Sequence, residues 1–127
     1  MLRAVGVVLL FVSLSAGAKC IRETYQLEGR LTDASGHAVP NATVTITWGG
    51  TTKWNSGTES SQSNAEGSFA VTVLFDTLSG EGLRGDICEG RLTSAFVDVA
   101  VPGYRPLRRE VQFSGRRGNI TLKLERT

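Results

Sequence analysis

Apolar and polar side chains alternate with a period of two through most of this chain, and no window beyond its first residues shows helical spacing. Leu27, Gly29 and Leu31 alternate with Glu28, Arg30 and Thr32, which predicts a strand over Tyr25 to Thr32 with one wet face. Val44, Ile46 and Trp48 alternate with Thr43, Thr45 and Thr47, predicting a second strand over Ala42 to Trp48 that turns Trp48 into the core. Gly49-Gly50 reads as a tight hairpin turn, with Thr51 to Trp54 as the returning strand. Asn55 to Asn64 is almost wholly polar, an exposed loop or a weak edge strand. Phe69, Val71, Val73 and Phe75 then mark the most apolar strand of the set.

Val97, Val99 and Val101 share the face of a fifth strand, and Val111 with Phe113 makes a short sixth. A hairpin at Ser114 to Asn119 leads into the closing strand, marked by Ile120, Leu122 and Leu124. Between the fourth and fifth strands, Asp76 to Gly90 breaks the pattern with four glycines and no periodicity, so a long loop is expected there. Seven short strands separated by frequent turns predict an all-β, two-sheet sandwich.

Two turn-and-strand stretches carry a resemblance. Leu27 to Ile46, LEGRLTDASGHAVPNATVTI, runs strand, polar turn, small-residue link, strand, and Asn64-Ala65-Glu66-Gly67 later leads into Ser68-Phe69. This order resembles the carboxypeptidase regulatory-like domain. The resemblance implies a seven-stranded Greek-key β-sandwich of the transthyretin (prealbumin) type, and an accessory module in place of a catalyst. The longer, cysteine-bearing stretch from Asp76 to Gly90 departs from that family's pattern.

The ends and the cysteines place the module. Arg3, the eleven apolar-run residues Ala4 to Leu14, and Ala16-Gly17-Ala18 read as a signal peptide over residues 1–18, too short to span a bilayer, where about 20 residues are needed. Residues 19–127 then form one domain of common size, exported to the periplasm or the extracellular space. Lys19 before Cys20 does not suit the small-residue position of a lipoprotein signal, so a soluble product is expected. Without Arg3 the chain holds 13 basic and 12 acidic side chains, a balance that argues against nucleic acid as a partner. In an oxidising compartment Cys20–Cys88 is the default disulfide, a crosslink of roughly 4 kcal/mol in the chain-entropy picture. Two free thiols or an intermolecular pair are the alternatives.

Candidate chemistry is sparse. His37 is the single histidine and falls in a turn, and no Gly-x-Ser-x-Gly elbow or phosphate-cradling loop occurs. No catalytic residue, metal or cofactor is therefore expected, and the chain is read as no enzyme. Two patches suggest binding. Trp54 with Lys53 and Asn55 offers a ring and polar neighbours to a sugar, the carbohydrate-binding alternative. Arg116 and Arg117 project two guanidinium groups from a hairpin towards an anionic group. The leading expectation is a module that binds or scaffolds another envelope or secreted protein.

Overall fold

The computed structural model describes residues 19–49, 55–79 and 90–127. Seven strands form two sheets: β1 (Lys19–Thr32), β2 (Thr43–Trp48), β3 (Gly57–Gln62), β4 (Ser68–Ser79), β5 (Ser94–Ala100), β6 (Leu107–Gln112) and β7 (Arg117–Lys123). One sheet has the order β4-β1-β7 and the other β3-β2-β5-β6. The chain passes between the sheets four times, the Greek-key habit of a sandwich. All pairings are antiparallel except β1 with β7, which run parallel in register from Gln26↔Arg117 to Thr32↔Lys123.

Alternation decides which side chains go inside. Leu27, Leu31, Val44, Ile46, Val73 and Val97 are fully buried, each contributing roughly 1.5–3 kcal/mol from loss of water contact. Trp48 joins them in the core, as its phase with Ile46 predicts. Tyr25 packs edge-on against Phe75 and Phe113, with ring centroids 6.0 and 5.2 Å away. Its hydroxyl accepts the Leu92 N–H at 3.1 Å, so the buried oxygen is satisfied. At Gly29 the ring of Phe69 lies where any Cβ would stand, which is why the β1 alternation carries a glycine there.

Three elements differ from the sequence reading. β1 begins at Lys19 and β4 runs on to Ser79, because these two strands pair along their whole length, from Arg30↔Ser68 to Lys19↔Ser79. Four residues of the expected patternless loop, Asp76 to Ser79, are therefore strand. The strand that returns beside β2 is Gly57–Gln62, within the stretch read as loop or weak edge, while the expected Thr51 to Trp54 lies outside the described residues. A polar sequence can hold such a strand because β3 is at a sheet edge and most of its side chains face water.

Candidate functional site

Polar side chains at the ends of strands govern which backbone groups stay open on this surface. Asn55 is buried, contrary to a role facing a ligand. Its amide donates to the Asp76 carbonyl at 2.8 Å and its oxygen accepts the Asp76 N–H at 2.8 Å. One side chain thus imitates a neighbouring strand, satisfying both backbone groups of Asp76. That use of the amide removes Asn55 from the sugar-facing patch. Trp54 and Lys53, the rest of that patch, lie outside the described residues.

Arg116 and Arg117 are exposed at the β6–β7 hairpin, closed by the Ser114 N–H to Arg117 carbonyl bond of 2.7 Å and its reciprocal of 3.2 Å. No acidic partner holds either guanidinium among the described residues. Cys20 is disulfide-bonded, and Cys88, its expected partner, lies outside the described residues. His37 is exposed in the turn after β1, its Nδ1 3.7 Å from an Asp33 carboxylate oxygen. Asp33 Oδ1 accepts the N–H groups of Ser35 and His37 at 2.8 and 2.9 Å. The His37 amide bond above all holds the Asp33 carboxyl below its ordinary range.

Two depressions in the described surface follow the open side of the sandwich, where β3 and β4 are edges of different sheets. One, of about 440 Å³, is walled by Trp48, Glu59, Ser60, Thr72 and Leu74. The other, of about 550 Å³, is walled by Glu28, Arg30, Gln62, Asn64, Ser68 and Asn119. Ser61 and Ala70 line both, so they form one groove. Leu74, 52% exposed, is the most exposed large hydrophobic side chain described. Across the β1–β4 pair, Arg22 grips Asp76 with bonds of 2.8 and 3.1 Å. The Arg22 hydrogen bond, with its charge, lowers the Asp76 carboxyl from its usual value. Alternation of β4 was visible in the sequence; the groove was not, because it needs β3 and β4 brought side by side.

No protein-family model matches the chain, and no curated protein does. Solved structures do share its fold. Hydroxyquinol 1,2-dioxygenase from Pseudomonas putida DLL-E4 superposes with a TM-score of 0.59 at 12% identity, over 82% of this chain and 57% of that one. Catechol 1,2-dioxygenase from Acinetobacter sp. ADP1, inhibited by bound mercury, gives 0.56 at 17% identity, over 82% and 53%. The 3-chlorocatechol 1,2-dioxygenase from Rhodococcus opacus 1CP gives 0.56 at 9%, over 83% and 60%. This chain therefore spans little more than half the length of these proteins.

These neighbours correct the reading of the chain as no enzyme. The sandwich is one on which dioxygenases are built, so missing hydrolase and phosphate motifs do not place it outside catalysis. At such identities the likeness establishes the fold alone. Dioxygen chemistry calls for an activating metal or organic group. Among the described residues no three His, Cys, Asp or Glu side chains are grouped to hold a metal ion. No reaction step follows from the likeness.

Proposed function

We propose that residues 1–18 direct export and that residues 19–127 work outside the cytoplasm as a carboxypeptidase regulatory-like sandwich that binds or scaffolds another protein. The leader-like start, the turn-and-strand order and the cysteine pair support export and family. The observation that carries the binding role is the groove along the open side, with exposed Leu74 and an acidic Glu59 on its walls. A groove that sets an apolar side chain beside a carboxylate offers a partner both apolar burial and charge pairing.

In-cell crosslinking followed by purification of the tagged full chain tests this reading. The same envelope or secreted protein should be recovered in independent preparations. Fractionation should place the processed chain outside the cytoplasm. Repeated crosslinking that recovers no protein, or an unprocessed chain in the cytoplasm, overturns it.

A further inference from the structure

We propose that the free edge of β4 between Ala70 and Leu74 is a docking site for an extended segment of another protein, added to the three-stranded sheet as a fourth strand. The inference rests on the binding role above and specifies its site, its mode and the chemistry of the partner.

The direction of each backbone group on β4 can be read from Ser68 and Asp76. Among the described strands β4 pairs only with β1, in unbroken antiparallel register. At Ser68 the N–H donates to Asn64 Oδ1 at 2.9 Å, and the carbonyl accepts the Asn64 N–H at 2.9 Å. At Asp76 both groups bond the Asn55 side chain. Both residues therefore point their backbone groups away from β1. In an antiparallel strand this direction recurs at every second residue, so Ala70, Thr72 and Leu74 point the same way. Their three N–H and three C=O groups face the groove without a partner among the described residues. Asn64 and Asn55 bound this three-residue window at Ser68 and Asp76.

The walls of the groove select the occupant. A strand laid on this edge turns alternate side chains outwards, beside Ala70, Thr72 and the exposed Leu74. Its other side chains turn towards β3, where Glu59, Ser60 and Ser61 line the gap with Trp48. Glu59 has no cationic partner among the described residues. An apolar residue against Leu74 and a lysine or arginine against Glu59 complement these walls. The partner is thus an extended segment that alternates basic and apolar residues. A second copy of this chain fits poorly. Symmetric pairing about Thr72 would set Ser68 opposite Asp76 of the other copy, and both positions are already occupied by asparagine caps. It would also bring the same Glu59 to the groove twice.

The test uses the full chain and a fluorescein-labelled seven-residue peptide of alternating lysine and valine, read by fluorescence anisotropy. An aspartate-for-lysine version and a version N-methylated on alternate backbone nitrogens are the controls. Saturable binding of the lysine peptide is expected, with loss of about tenfold or more on N-methylation, which removes the edge hydrogen bonds. Thr72→Pro should weaken binding about as much while the fold survives, because proline is tolerated where the strand N–H faces outwards. Glu59→Lys should reverse the preference towards the aspartate peptide. Unchanged affinity for the N-methylated peptide overturns the proposal. So does failure of both charged peptides to bind, or a dimer in sedimentation that Thr72→Pro abolishes. Crosslinking in cells separates this failure from that of the binding role. A partner captured equally by wild type and Thr72→Pro keeps the role and discards the edge; no partner for either discards the role itself.

Discussion

The two edges β4 and β6 guard themselves against stray pairing in opposite ways. On β6, Arg108, Arg109 and Glu110 stand in a row of exposed charges. Arg108 is held to both Asp98 oxygens at 3.2 and 2.9 Å and lies over the Phe96 ring, 4.4 Å from its centre. An incoming strand there would have to strip water from several charges and displace that packing. On β4, Ser68 to Phe75 carries no charge at all. Its stops, among the described residues, are Asn64 at Ser68 and Asn55 at Asp76. Charge along an edge repels any strand, whereas stops at its ends leave a window of defined length. That difference is what makes β4, and not β6, the edge fitted for recognition.

The sharpest way to break the comparison is at the stops. Gly67 holds φ at +76°, and a Cβ there would press into the Leu31 carbonyl oxygen. Gly67→Ala should therefore distort the turn that caps Ser68 and cost roughly 3 kcal/mol or more, seen as a lower urea midpoint. Asn55→Ala removes the other stop and leaves the Asp76 N–H and C=O without their partner. A loss of roughly 2–3 kcal/mol is expected, with fast hydrogen exchange at the Asp76 amide as its local signature. An unchanged exchange rate would mean that the amide is protected by something other than Asn55.

Smaller changes sharpen the contrast. Replacing Arg108, Arg109 and Glu110 together by threonine should cost about 1 kcal/mol or less, since exposed ion pairs contribute little. The same variant should self-associate with rising concentration in sedimentation, as an uncharged edge becomes open to pairing. A strictly monomeric variant would show that charge is not what protects β6. The smallest effect concerns acid. Because Arg22 lowers the folded Asp76 carboxyl, this pair adds stability above the unfolded carboxylate value of about 4 and loses it as pH falls through the lower folded value. Asp76→Asn should flatten the acid side of the stability curve and leave the neutral side nearly parallel to wild type. Urea midpoints measured between about pH 2 and 6 test this.

Much of the sandwich was legible because a strand with one wet face writes its burial into every second residue. Leu27 and Leu31, Val44 and Ile46, Phe69, Val71, Val73 and Phe75, Val97 and Val99, and Leu122 and Leu124 are all buried as their spacing predicts. The position of β3 was not legible, since Gly57 to Gln62 contains no apolar residue and an edge strand needs none. The burial of Asn55 was hidden for a different reason. Its neighbours Trp54 and Ser56 say nothing of Asp76, which the fold brings to it from 21 positions away. The exposed arginine hairpin, by contrast, could be read locally, because its two-residue turn is set by adjacent residues.

Taken alone, the amino-acid order determined that this chain makes two layers of strand, and which side chains those layers enclose. Both follow from periodicity and the aversion of apolar groups to water, which are properties of neighbouring residues. Tertiary structure alone decided that β1 runs beside both β4 and β7, and that Asn55 serves a distant backbone. It also decided that the backbone groups of three β4 residues meet no partner among the described residues. Those outcomes depend on pairings between residues tens of positions apart, and a backbone donor carries no mark in the sequence of whether a partner will reach it.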